Sequence, residues 1–416
     1  PHITNEIKNR FHRNYSTKDT EIAIIEVGGT VGDIESQPFL EAIRQFQHDV
    51  GPHNAILIHV TLIPYLKASG ELKTKPTQAS VKNLQGMGIR PDVIVCRTER
   101  PLDDSIRGKI ALFCNVPQSH VLQNLDVELL YEAPLAMEEE HLAQAVCQSL
   151  ELPCPQPDLA DWRAMIEAWK HPRTQVTIAL VGKYIRLHDS YLSVAEALKH
   201  GGVANRADVV IKWIDAEAVT PENVETLFGD VDGILVPGGF GSRGIDGKLL
   251  AIRHARERRI PYLGLCLGMQ LAIVEFVRNA AGYPDAHSAE LDPSTAHPVI
   301  HLMPEQDGVR DLGGTLRLGS FPCVLEPHSR ARKLYGCEII HERHRHRYEV
   351  NNDYRDILSS HGMLLSGLSP DGRIVEMIEL PSHPWFVATQ AHPEFKSRPN
   401  KPHPLFCGFI AAALKH

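Results

Sequence analysis

Short β-branched runs recur along this chain, and most pairs are separated by enough residues for one helix. Ile22-Ala23-Ile24-Ile25 and residues 55–60, 92–95 and 110–113 read as strands, and residues 38–50 and 78–87 show helical periodicity between them. The alternation resumes with strand-like runs at residues 176–181, 209–211, 233–236 and 260–265. Strand and helix in succession specify parallel sheets, because parallel neighbours need a long crossover connection, usually a helix. The expected fold class is α/β.

One segment breaks the pattern. Leu152-Pro153-Cys154-Pro155-Gln156-Pro157-Asp158 holds three prolines in five residues, which stiffen a linker and cannot continue a helix. An amphipathic stretch at residues 159–170 follows it, then His171-Pro172. The expected organisation is a domain at residues 1–151, a linker at 152–174 and a second domain at 175–416, within the two or three domains that 416 residues allow at roughly 150 each.

Charge narrows the partners. With 43 Lys+Arg against 51 Asp+Glu the net charge is −8, which suits neither a nucleic-acid coat nor a membrane-surface binder, so any anionic ligand must be met locally. No apolar run approaches the roughly 18 to 20 residues that cross a bilayer, and no charged-then-apolar leader opens the chain. The eight cysteines form no C-x-x-C pair and no regular spacing, so reduced thiols and a cytoplasmic location are expected.

Gly264-Leu265-Cys266-Leu267-Gly268 ends an apolar run and opens a helical one. Small residues two before and two after a nucleophile permit the tight strand-to-helix turn that exposes its side chain. A thiol at a helix N-terminus also feels the positive end of the dipole, which favours the thiolate. Taken alone, the motif is equally consistent with a buried core cysteine. Thiol chemistry on an amide needs a base and a group that orients the base. Gln390-Ala391-His392-Pro393-Glu394-Phe395 supplies both after a strand, with His392 moving the proton and Glu394 holding its ring. Val236-Pro237-Gly238-Gly239-Phe240-Gly241, again after a strand, offers a backbone N–H to an oxyanion, with the N–H of Leu267 as the second donor.

These three motifs together closely resemble those of a class I glutamine amidotransferase domain of flavodoxin-like α/β type. The resemblance implies hydrolysis of the L-glutamine side-chain amide through a thioester on Cys266. It also places Gly239, Leu267, Gly268, Met269, Gln270 and Glu290 against the substrate.

The run Glu342-Arg343-His344-Arg345-His346-Arg347-Tyr348-Glu349-Val350-Asn351 has a plain reading as a solvated charged face. A metal site would want a cysteine or a second His pair at ligand spacing, and a nucleic-acid patch sits poorly with the overall charge.

The first block has its own distinctive stretches. Ile25-Glu26-Val27-Gly28-Gly29-Thr30-Val31-Gly32-Asp33-Ile34-Glu35-Ser36 runs from a strand ending in a carboxylate, through a glycine loop, to two more acids. Carboxylates at the C-terminal edge of a parallel sheet are where Mg²⁺ and nucleotides gather, although acids in glycine loops also serve as turn and cap residues. Ser69-Gly70-Glu71-Leu72-Lys73-Thr74-Lys75-Pro76-Thr77-Gln78 puts two lysines ahead of a helix N-terminus, a composition that suits a polyphosphate, and Lys109 adds a further cation.

E-V-G-G-T-V-G-D-I-E-S, G-E-x-K-T-K-P-T-Q, K-I-A-L-F-C-N-V and E-R-H-R-H-R-Y-E-V-N, in that order over the whole chain, resemble the CTP synthase family. The resemblance implies amination of UTP to CTP: ATP phosphorylates the uracil 4-oxygen, and ammonia from glutamine displaces the phosphate. It makes Glu26 a ligand of the Mg²⁺ that accompanies ATP. It assigns Asp33, Ile34, Glu35, Lys73, Thr74, Lys75, Pro76, Thr77, Gln78 and Lys109 to UTP or to CTP as feedback inhibitor. Leu125, Asp126 and Val127 lie against the ATP base, and Arg347 holds the glutamine carboxylate. A homotetramer activated by GTP is implied, with filaments left open.

The chain departs from the family in one respect. Nothing matches the phosphate loop G-x-x-x-x-G-K-[ST], and Pro1-His2-Ile3 resembles a segment well inside the synthase domain. The first domain is therefore expected to be an incomplete P-loop-like parallel-sheet domain, and the chain as it stands to retain only glutaminase chemistry. A truncated sequence of an ordinary enzyme is the expectation, because loss of a first strand exposes a sheet edge. The alternative is a glutaminase-only or non-catalytic short form that partners tetramers or filaments.

Overall fold

A computed structural model describes residues 1–15, 20–183, 185, 187–302 and 317–416. It divides into two compact units, Pro1–Asp158 and Leu159–His416. The amphipathic stretch after the prolines is the helix Ala160–Lys170 and belongs to the second unit, where Met165 and Ile166 are buried.

The first unit centres on a three-stranded parallel sheet in the order Ile58–Leu62, Val93–Thr98, Val121–Leu125. The helices Lys75–Gly86 and Asp104–Cys114 carry one apolar layer, with Val81, Ile94, Ile110, Cys114 and Val121 buried together. Two strand expectations fail here. Residues 110–113 lie inside the helix Asp104–Cys114, which Asp103 starts by accepting from the N–H of Ile106 at 2.8 Å and Asn115 ends in the left-handed conformation. A four-residue apolar run has no readable period, and the caps on either side decide it. The strand expected at residues 22–25 does not form either. A strand is defined by its ladder, and this segment pairs with no other among the described residues, leaving Ile24 93% exposed.

The second unit contains a nine-stranded sheet. Five neighbouring strands are parallel, in the order Phe386–Thr389, Tyr262–Leu265, Gly233–Val236, Thr174–Gly182 and Ala207–Asp215. The remaining four, Val375–Glu379, Leu364–Leu368, Arg317–Leu325 and Ile339–His346, continue the sheet antiparallel. The central strands are buried along their length, as strands with helices on both faces must be. The helices Leu267–Asn279 and Ile245–Arg258 contribute to one core, and Leu192–Ala204 and Pro404–Ala413 to the other. Because the central strands run the same way, the segments after Val236, Leu265 and Thr389 emerge at one edge of the sheet. Ligands of open α/β sheets bind at such an edge.

Candidate active site

Cys266 sits where the strand Tyr262–Leu265 turns into the helix Leu267–Asn279, with φ 50 and ψ −101. That backbone is strained for a residue with a Cβ, and its neighbours over-determine it. The Cys266 N–H is held by the Thr389 carbonyl at 2.8 Å, and the Cys266 carbonyl already accepts from Met269 and Gln270. The flanking glycines are required by space. A Cβ on Gly268 would stand 2.2 Å from the Val236 carbonyl oxygen, and one on Gly264 would stand 2.9 Å from the Ala388 Cβ. Tyr262 fixes the turn from below by donating to the Gly268 carbonyl at 2.9 Å.

His392 comes from the loop after the strand Phe386–Thr389. Its own N–H bonds to the Arg343 carbonyl at 2.7 Å, and its ring Nδ1 lies 2.7 Å from Glu394 Oε1. Burial alone would pull the imidazole down, but hydrogen bonds and charge from Cys266 and Glu394 outweigh it and raise His392 to about 10. Nucleophile, base and orienting carboxylate are therefore assembled in one largely buried place, with Cys266 only 5% exposed. The third loop closes on the pair. A Cβ on Gly238 would meet His392 Cε1 at 2.8 Å and the Cys266 Cβ at 3.4 Å, so only glycine fits there.

Gln270 is buried in the first turn of the nucleophile's helix, on which Leu267, Gly268 and Met269 precede it. Glu290 is half-buried; burial raises its carboxyl, and the nearby Arg347 guanidinium works against that rise. Arg347 keeps a buried Nε without a protein acceptor. A carboxylate and a guanidinium in one neighbourhood have the charges needed for an α-ammonium and an α-carboxylate.

The E-R-H-R-H-R run is only half of what its composition suggests. On the strand Ile339–His346 the residues alternate, so Arg343 and Arg345 are exposed and Glu342, His344 and His346 are buried. Burial pushes His344 down to about 2 and His346 to about 3, keeping both neutral. No group of three or more His, Cys, Asp or Glu suited to a metal exists among the described residues.

Gln390 and Lys248 also lie in this neighbourhood, and neither carries a local motif that assigns it a task. Gln390 is fully buried, with its Nε2 3.5 Å from Cys266 Sγ. Lys248 is buried on the helix Ile245–Arg258, its Nζ 3.9 Å from where a Cβ of Gly239 would stand. Burial and the charge of Lys183 bring it down to about 8. A buried lysine beside a glycine loop has no signature of its own in sequence.

In the first unit the nucleotide-type residues separate by burial. Thr74 and Thr77 are buried, with Thr77 Oγ1 3.0 Å from Thr61 Oγ1 and Gln78 donating to Thr74 Oγ1 at 3.0 Å. The Thr77 hydroxyl ties the helix Lys75–Gly86 to the strand Ile58–Leu62, and Pro76 favours the helix start. Lys75 and Lys109 are exposed and Lys73 is half-buried. Lys73 and, more weakly, Lys109 lower the Glu71 carboxyl, so these two cations from separate elements share one locality. Asp33 precedes the short 3-10 turn Ile34–Ser36, and its carbonyl accepts from Ser36 Oγ at 2.9 Å. Leu125 ends the sheet's edge strand and Asp126 and Val127 follow it, where Asp126 pairs with Arg97 at 3.4 Å. Glu26 is exposed on the unpaired segment and belongs to no metal-type cluster among the described residues. It does not make a Mg²⁺ site by itself.

Comparison with known proteins adds to this geometry. Residues 1–152 match the family model described as CTP synthase N-terminus, and residues 186–412 match glutamine amidotransferase class-I. A CTP synthase of Pelotomaculum thermopropionicum is 59% identical over 416 residues, covering 100% of this chain and 78% of that protein. One from Ruminiclostridium cellulolyticum is 57% identical over 416 residues, covering the same 100% and 78%. The solved Trypanosoma brucei glutaminase domain of CTPS, with bound acivicin, superimposes with a TM-score of 0.54 at 40% identity, covering 58% of this chain and 94% of that one.

Proposed function

The chain belongs to the CTP synthase family, and from that premise we propose that its second unit hydrolyses L-glutamine with Cys266, His392 and Glu394 while its first unit holds UTP. The observation that carries the first half is the assembly of a strained elbow cysteine, a raised imidazole and a 2.7 Å carboxylate partner at one edge of the sheet. Cys266 Sγ attacks the amide carbon of glutamine. The oxyanion that forms is met by the N–H groups of Gly239 and Leu267. His392 passes its proton to the departing ammonia, leaving a thioester on Sγ. It then takes a proton from water as the oxygen attacks, and returns it to the sulfur as glutamate leaves. Glu394 keeps the ring in register throughout. Arg347 and Glu290 hold the substrate's carboxylate and ammonium, with Gly268, Met269 and Gln270 lining the side chain's path.

In the first unit Lys73, Lys75 and Lys109 meet the triphosphate of UTP or of CTP acting as inhibitor. Asp33, Ile34 and Glu35 contact the rest of the nucleotide, and Thr74, Pro76, Thr77 and Gln78 shape the loop. Leu125, Asp126 and Val127 bound the adenine of ATP. Family membership also supports Mg²⁺ travelling with ATP, GTP as activator, a homotetramer and a cytoplasmic setting. Among the described residues no helix is long and apolar enough to cross a membrane.

The test is ammonia release from L-glutamine by the purified chain against its Cys266→Ala variant. Equal release by both sinks the assignment. The non-catalytic alternative has no observation in its favour, since the three groups it would leave idle are assembled.

A further inference from the structure

We propose that Gln390 is a further catalytic residue, whose side-chain amide donates a hydrogen bond to the Cys266 thiolate and is fixed in that orientation by Gln270. The proposal rests on the glutaminase reading of this site. Gln390 Nε2 lies 3.5 Å from Cys266 Sγ, within reach for a sulfur acceptor, and Gln390 is fully buried.

The orientation of the amide follows from one carbonyl. Tyr348 O can only accept, so the Gln270 atom 3.0 Å from it must be the nitrogen. The second N–H of that nitrogen faces Gln390 at 3.2 Å, which must therefore present oxygen to it and nitrogen to sulfur. A flipped Gln390 would set an oxygen against the thiolate and two NH₂ groups against each other. The same carbonyl fixes the layer behind. His346 Nδ1, 3.1 Å from Tyr348 O, must be the donor, so in the neutral ring Nε2 accepts from His344 Nδ1 at 3.2 Å. His344 Nε2 is then left toward Glu376 Oε2 at 3.5 Å, with Arg317 on the other carboxyl oxygen. This layer thus orients the Gln390 amide toward the sulfur, and His392 beside it holds the proton that the thiol gives up.

A neutral donor aimed at sulfur favours the thiolate over the thiol and holds Sγ in one direction. It accomplishes this without a charge that would compete for the proton of His392.

The experiment measures the pH dependence of Cys266 alkylation by iodoacetamide, without glutamine, in the wild-type chain and in Gln390→Met, which keeps the volume and removes the donor. The expected result is an upward shift of about one pH unit, with a roughly tenfold or larger fall in kcat for ammonia release and a smaller change in KM. An unshifted alkylation profile in a folded Gln390→Met protein overturns the proposal. Should that variant fail to fold, Gln270→Met decides instead, since it leaves Gln390 in place but frees its amide to turn. A smaller upward shift supports the proposal, and none in a folded protein rejects it. A wild-type chain that alkylates normally but releases no ammonia defeats the glutaminase reading alone, because the alkylation profiles still judge Gln390.

Discussion

The thiol site of the second unit and the lysine loops of the first hold their functional groups in opposite ways. Cys266, Gln270, Gln390 and Glu394 are buried and bonded to one another or to nearby protein groups, whereas Lys75 and Lys109 stand exposed and the Lys73 ammonium donates to Glu71. Bond-making chemistry needs electrostatic interactions at low dielectric strength and donors already aimed, so the protein keeps them committed before substrate arrives. A triphosphate brings its own charge, and cations that wait for it in water lose little by being solvated. A dense, buried site suits bond-making chemistry, and a sparse cationic one suits a charged ligand.

This contrast can be broken at its strongest point first. Replacing the nucleophile, Cys266→Ala, should lower ammonia release from glutamine at least about 10³-fold, read by a coupled ammonia assay; a smaller loss would mean that another group attacks. Next comes the orienting carboxylate. Glu394→Gln should cost on the order of 10²-fold in kcat and lower the titration of His392, followed by NMR of its ring. The sign follows from the upward shift. Stabilisation by the charged imidazolium is complete below its ordinary value of 6.5 and is lost as pH rises through about 10, so the variant should lose it at lower pH. A His392 titration unchanged in Glu394→Gln would show that Cys266 alone raises it.

Packing at the elbow gives the third test. Gly268→Ala forces a methyl against the Val236 carbonyl and should reduce unfolding stability by about 2 kcal/mol, seen as a lower Tm by calorimetry. An unchanged Tm would show that the turn can relax. The smallest effects belong to the open loops. Lys73→Ala and Lys109→Ala should each weaken UTP binding about tenfold by calorimetric titration, with a shallower salt dependence and no change in Tm. Loss of stability there would mean that the lysines brace the fold.

How much could be read beforehand differs between the two regions for the same physical reason. G-L-C-L-G, the glycine pair and H-P-E are local patterns, because a tight turn and a short base-to-carboxylate reach must be written in neighbouring residues. Gln390 was visible beside His392 but had no legible task, since its partner Gln270 is 120 residues away and its orientation hangs on the carbonyl of Tyr348. His344 and His346 read as surface charge until strand pairing turned alternate residues inward. Residues 110–113 read as strand because four apolar residues suit either period, and only the caps at Asp103 and Asn115 settled them as helix.

By itself, the sequence determined the α/β class, the proline break between two blocks and the residue types of a thiol triad and a lysine-rich loop. These depend on periodicity, ring constraints and short spacing, which are properties of neighbours along the chain. Only the tertiary structure decided which side chains the parallel strands deliver to one edge, how Cys266 and Glu394 raise His392 against its burial while burial lowers His344 and His346, and which glycines have no room for a Cβ. Such properties arise where distant segments exclude water together, and no stretch of sequence holds both halves of the contact.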